Sequence, residues 1–215
     1  MQVSLVKIKD TVFLHTDCGS LVLTCYHGYI DMVQWLLRND VDVDQCRDDG
    51  VTGLFMASKS EWTYQYSQIA VRKNSDVDLC CTDGYTPLIN SCGGNNTRLV
   101  QLLMKYKPDI DAQTCYGGNA LLYSVLLGNM EITQLLLQNN ADCNVCMHKD
   151  GTTPLFYACE VGHEDIVRVL LDKGADTQIC RLDGKSPLGI AIDNGHTSIE
   201  FILTEHKKRA DQHSA

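Results

Sequence analysis

The chain has 215 residues, 44% of them hydrophobic and 21% charged, with a formal net charge of −9 and a pI near 5.1. No apolar run approaches the roughly 18 residues of a membrane helix, and the acidic balance repels a phosphate backbone, so composition argues against membrane insertion and nucleic-acid binding. Eleven cysteines are an odd number, and the start MQVSLVKIKD is broken by Lys7 and Lys9 and does not read as a secretory signal, so no disulfide framework is expected.

The implied setting is cytoplasmic, with the nucleus open as an intracellular alternative, and the charge suits a basic partner surface. In chain order, residues 1–15 come first and do not form a complete repeat unit. Val3, Leu5, Val6, Ile8, Val12, Phe13 and Leu14 make that segment apolar enough to cap the end of a stack.

From there the sequence keeps a period. Leu21, Leu54, Leu88, Leu121, Leu155 and Leu188 are separated by 33 or 34 residues, and Asp42, Asp76, Asp109, Asp142 and Asp176 keep the same step. A fixed period of this size indicates stacked units. The first unit shows the order of parts: a short helix from Leu21 closed at Gly28, then a second helix with Met32, Val33, Leu36 and Leu37 at helical spacing.

The second unit departs from the pattern. It has Gly53 before the marker leucine, no glycine between its helices and one added residue near Trp62, which predicts an irregular turn with Trp62, Tyr64 and Tyr66 partly exposed. The third unit returns to rule. Asp83-Gly84 supplies a tight turn, Thr86 a capping hydroxyl and Pro87 the first helical position. The fourth closes its first helix at Gly128, and one added residue lengthens the loop CNVCMHKDG before the fifth. The fifth and sixth repeat the scheme with Thr153-Pro154 and Ser186-Pro187, and close at Gly162 and Gly195. The chain is expected to fray after Lys208.

Three residues past each marker leucine stand Thr24, Ala57, Ser91, Ser124, Ala158 and Ala191, all small, which lets a neighbouring helix approach. Helices this short are marginal alone, so stacking must supply the missing burial.

The stretch DGTTPLFYACEVGHEDIVRVLLDKGAD, Asp150 to Asp176, resembles the ankyrin repeat, and the resemblance extends over about residues 16–207. It implies an all-α solenoid of helix-turn-helix units joined by β-turn or hairpin loops. The repeats fall at about 16–48, 49–82, 83–115, 116–149, 150–182 and 183–207, with a tail at 208–215.

The resemblance further implies a non-enzymatic scaffold or adaptor, monomeric and without cofactors, that binds another protein through a concave face of turn tips and first helices. On that face Tyr85, Tyr116, Leu126 and Leu127 stand out as large apolar side chains at nominally exposed positions. The alternative is that Leu126 and Leu127 turn into the neighbouring groove and pack. Asp48, Asp49, Glu160 and Asp193 flank the patch and suit steering of a basic segment. A regulatory inhibitor that occludes an enzyme or transcription factor is the second reading, and a thiol- or zinc-responsive sensor the third.

The remaining candidates weigh towards structure. Cys25, Cys92 and Cys159 share one seam position, and Cys46, Cys80, Cys146 and Cys180 share one turn position. Cys143 and Cys146, with His148 nearby, have the spacing of half a zinc site, but no second pair accompanies them, and no metal is assigned. By the resemblance His163 and His196 are structural hydrogen-bonding residues. Asn144 occupies the position at which ankyrin arrays are hydroxylated, with Asp44, Asp78, Asp111 and Gln178 in the equivalent places. No arrangement of nucleophile and base suggests catalysis.

Overall fold

The structure, a computed structural model, describes residues 20–58 and 64–213. Among the described residues all regular structure is helical, apart from one antiparallel bridge between Cys46 and Thr52 that pins the first turn. The chain divides into two compact units, residues 1–108 and 109–215. The first holds α1 (Ser20–Tyr26), α2 (Ile30–Arg38), α3 (Gly53–Ser58), α4 (Tyr64–Arg72), α5 (Pro87–Gly93) and α6 (Thr97–Met104). The second holds α7 (Ala120–Leu126), α8 (Met130–Gln138), α9 (Pro154–Val161), α10 (Glu164–Asp172), α11 (Pro187–Asp193) and α12 (Thr197–His213).

In each unit the first helices pack in one row and the second helices in another. The rows are α1–α3–α5 and α2–α4–α6 in the first unit, and α7–α9–α11 and α8–α10–α12 in the second. The seam positions Thr24, Ala57, Ser91, Ser124, Ala158 and Ala191 are all buried, which is why none carries a larger side chain. Beside them Cys25, Cys92 and Cys159 are buried as compact apolar side chains.

Helix starts follow the capping chemistry. Thr86, Thr153 and Ser186 accept from the N–H of Ile89, Phe156 and Gly189, each followed by proline at the first turn. In the fourth repeat Asn119 is the cap instead. Its Oδ1 accepts from the Leu122 N–H at 3.0 Å, and its Nδ2 donates to the Asp142 carbonyl at 3.2 Å. In the third repeat Asn95, at φ 57°, replaces the glycine that closes the first helix in the first, fourth, fifth and sixth.

The turns are built by aspartate. Asp42, Asp76, Asp109, Asp142 and Asp176 each accept, through Oδ1, the N–H two residues on. Asx turns of this kind explain why the marker aspartate keeps the period. Successive turns are then tied by backbone bonds, Thr82 N–H to Asp49 O in the first unit, and His148 N–H to Tyr116 O and Leu182 N–H to Asp150 O in the second.

Two expectations change. Tyr66 is not partly exposed: its side chain is completely buried. It sits where Met32, Leu99, Ile132 and Ile166 stand in the second helices of other repeats, and its extra length reaches α3, where a Cβ at Gly53 would lie 2.3 Å from Oη. The departures at 53 and 66 are therefore one adaptation, with the ring filling space that proline would occupy. Tyr64 is half-buried, as expected, whereas Trp62 lies outside the described residues. The second change is at the end of the chain, where α12 continues past Lys208 to His213. The expected cap at residues 1–15 also lies outside the described residues.

Candidate interaction surface

The surface is built from the ends of the first helices and the tips of the turns. In the second unit Leu127, the C-cap of α7, is about half exposed, and Tyr116, at the tip of the preceding turn, equally so. Leu126 is half-buried. The two leucines therefore divide: one leans on the fold and the other faces outward. Val161, one repeat after Leu127 at the same position on α9, is exposed too, as is Leu182 in the turn that closes the fifth repeat. Val161 and Leu182 are not among the residues singled out from the sequence; their position relative to the marker leucine was the available signal.

Tyr85 belongs to the first unit, where it is half-buried. Asp48 is exposed, and Asp49 is engaged: its carboxylate lies 3.3 Å from Arg47 and accepts the Val51 N–H at 3.2 Å.

The acidic flank of the second unit is already neutralised from within. Arg181 reaches Glu160 at 3.4 Å, bonds Asp183, and lies 4.9 Å from the centroid of the Phe156 ring. Lys185 donates to Asp193 at 2.6 Å. Glu160 and Asp193, expected to steer a basic segment, thus hold cations of their own chain. Arg181 also holds the Asp183 carboxyl down at about 2, with the Lys185 N–H adding to the effect.

A comparison with family models finds ankyrin repeats (3 copies) over residues 64–146 and 139–214. The chain belongs to the ankyrin-repeat family. A relative is YahD of Escherichia coli (strain K12), a protein named for its ankyrin repeats, 28% identical over 135 residues. That alignment spans 62% of this chain and 66% of YahD, just under two thirds of its length. Ankyrin repeats are protein-interaction modules.

Within these ankyrin repeats Asn144 serves as a tie between turns. Its Oδ1 accepts the Asp176 N–H at 2.8 Å, just as Asp111 accepts from Asp142 at 2.7 Å in the preceding repeat. An open cleft of about 300 Å³ lies beside it, lined by Leu137, Asn140, Cys143, Lys173 and Gly174 among others.

The histidines pack on the previous repeat's glycine. A Cβ at Gly162 would meet His196 Cε1 at 2.7 Å, and His196 Nε2 lies 3.2 Å from the Glu160 carbonyl. His163 approaches Gly128 in the same way.

The thiols separate into two classes. Burial pushes Cys25 and Cys159 up to about 12 and raises Cys92 and Cys143. Cys46, Cys80, Cys115, Cys146 and Cys180 are exposed at the turns. Cys143 and Cys146 belong to different classes, the former with Sγ 3.8 Å from the Lys173 carbonyl. Among the described residues no three His, Cys, Asp or Glu side chains are grouped to hold a metal ion, and no helix is long and apolar enough to cross a membrane.

Proposed function

We propose that this chain is a non-enzymatic scaffold or adaptor that holds a partner protein on the face formed by its first helices and turn tips. The observation that carries the reading is the outward placement of Leu127 and Tyr116, with Val161 at the equivalent position one repeat on. Large apolar side chains left in water at the ends of packed helices are typical anchors of an interface.

On the first unit, taken by itself, Tyr85 is the candidate apolar contact and Asp48 the candidate for a basic segment, while Asp49 already pairs with Arg47. Leu126, half-buried, offers a partner less surface than Leu127 does. Asn144 is a candidate for hydroxylation at its β-carbon, which would appear as a mass gain of one oxygen atom on the peptide that contains it.

The test is capture from cell extract with the wild-type chain and a Leu127→Asp, Tyr116→Ala variant side by side, followed by mass spectrometry. Both sites are exposed, so the variant should retain its helical content. Proteins recovered by the wild-type chain and lost from the variant would support the reading; identical recoveries would remove this face from the interaction.

A further inference from the structure

The C-terminal end of α1 carries an aromatic cluster that the third to sixth repeats do not copy. Tyr26 is 62% exposed, Tyr29 46% and Leu23 51%, with His27 exposed between the two tyrosines. The His27 ring stands edge-on to Tyr26 at a centroid distance of 5.1 Å and stacks with Tyr29 at 5.6 Å. The positions of Tyr26, His27 and Tyr29 are filled by Gly93, Gly94 and Asn96 in the third repeat and by Asp193, Asn194 and His196 in the sixth. The stack of repeats therefore does not require rings there.

The backbone beneath the cluster is held. Tyr29 N–H donates to Thr24 O at 3.0 Å, and Gly28 N–H to Cys25 O at 3.2 Å, with Gly28 at φ 71° turning the chain between the rings. Asp31, in the first turn of α2 and two residues beyond Tyr29, is exposed and makes no ion pair among the described residues. Three rings on a bonded turn present π faces, and Asp31, two residues beyond the last of them in sequence, adds a negative charge to the same segment. Aromatic faces attract a guanidinium or ammonium group, more strongly as it is desolvated. Leu23 adds an apolar surface for the methylene stem of such a side chain.

The charge of the chain agrees with a cationic occupant. The second unit commits Glu160, Asp183 and Asp193 to its own Arg181 and Lys185, whereas in the first unit Asp31, Asp48 and Asp83 make no ion pair among the described residues. In formal charge the second unit is the more acidic, −7 against −2. The contrast therefore lies in the carboxylate of Asp31, two residues from Tyr29 and without an ion pair among the described residues, rather than in the field of the unit as a whole.

We infer that the Tyr26, His27 and Tyr29 cluster, with Asp31, receives an arginine or lysine side chain from a basic segment of the partner protein. The inference rests on the reading of the chain as a protein-interaction module and assigns the chemistry of one contact.

The probe is a synthetic peptide of alternating glycine and arginine, with its citrulline counterpart as the uncharged control, titrated into the full chain by ¹H–¹⁵N NMR at a pH where imidazoles are neutral. Shifts should concentrate on residues 23–31, and the citrulline peptide should bind about fivefold more weakly or worse. Tyr26→Leu with Tyr29→Leu should abolish those shifts, and the isosteric Asp31→Asn, which leaves the rings in place, should weaken binding about twofold or more. Equal binding of both peptides, shifts confined to the turn aspartates, or no binding would each overturn the inference. Such a failure is separate from that of the module reading, which stands or falls on the Leu127 and Tyr116 capture.

Discussion

Gly53 and Tyr66 should behave as one unit energetically. An alanine at position 53 would place its Cβ 2.3 Å from Tyr66 Oη, 2.9 Å from Cζ and 3.0 Å from Cys25 Sγ, and the completely buried ring has nowhere to move. Overpacking of this kind costs about 1–3 kcal/mol, and at the first residue of α3 an alanine gains less over glycine than the roughly 1 kcal/mol of a helix interior. Gly53→Ala alone should therefore destabilise by about 1 kcal/mol. In a Tyr66→Leu background the hydroxyl and Cζ are gone, as they are in the third repeat, where Leu99 fills the same place. There the alanine should recover its helical advantage, which gives a coupling of about 2 kcal/mol against the 0.3–0.5 kcal/mol or so within which independent sites add.

Tyr66→Phe isolates the hydroxyl. Oη has no hydrogen-bond partner of good geometry, although it lies near the Cys25 thiol, and burial with that neighbour raises its pKa. Removing an unsatisfied buried hydroxyl should be neutral or stabilising by up to about 1 kcal/mol, whereas removal of a well-bonded one costs about that much. Both tryptophans, Trp35 and Trp62, belong to the first unit, so urea unfolding followed by tryptophan fluorescence reports on it selectively. Additive effects of Gly53→Ala and Tyr66→Leu would refute the claim that the tyrosine accounts for the glycine.

The same geometry sets three further outcomes. Native alkylation with iodoacetamide should modify Cys46, Cys80, Cys115, Cys146 and Cys180 well before Cys25, Cys92 and Cys159, which are buried thiols; peptide mass spectrometry over time would show equal rates if that division were wrong. Asp183 has a carboxyl held at about 2, below its ordinary 3.8, so its contribution is complete above the higher value and is lost as pH falls towards the lower. Asp183→Asn should flatten the acid limb of stability between those values, and an unchanged pH profile would exclude the Arg181 pairing as its source. Asn119→Ala removes a helix cap and the donor to Asp142 O, and should cost about 1–3 kcal/mol, while Asn119→Thr, which keeps a capping oxygen, should cost less in thermal unfolding.

The repeat was legible because its signals are local and periodic. Marker leucines, marker aspartates, Thr-Pro starts and small seam residues each state one step of the same unit, and every copy adds weight to the others. Tyr66 was harder to place because the absent glycine and the added residue near Trp62 blur the boundary of the second helix. Its relation to Ala70 and Val71, four and five residues on, nevertheless puts it on the buried face once the register of the neighbouring repeats is imposed. The partner roles of Arg181 and Lys185 were not legible. Arg181 reaches Glu160 twenty-one residues back, from the closing turn of the fifth repeat to the end of its first helix, far beyond the three- and four-residue spacings at which pairs on one helix can be read.

That internal pairing changes where recognition should be sought. A carboxylate bridged to its own chain's arginine offers less attraction to a basic partner, since the partner must displace an existing cation or accept a largely neutral surface. The second unit thus presents chiefly apolar anchors, Leu127, Tyr116, Val161 and Leu182, beside an ion-paired border. The first unit presents rings, with Asp31 and Asp48 free of ion pairs among the described residues although Asp49 is bridged to Arg47. A partner that reads the first unit would bring a cationic segment, and one that reads the second a hydrophobic contact. Association through the first unit should then depend on salt through substitutions at Asp31 or Asp48, and association through the second very little through Glu160 or Asp193.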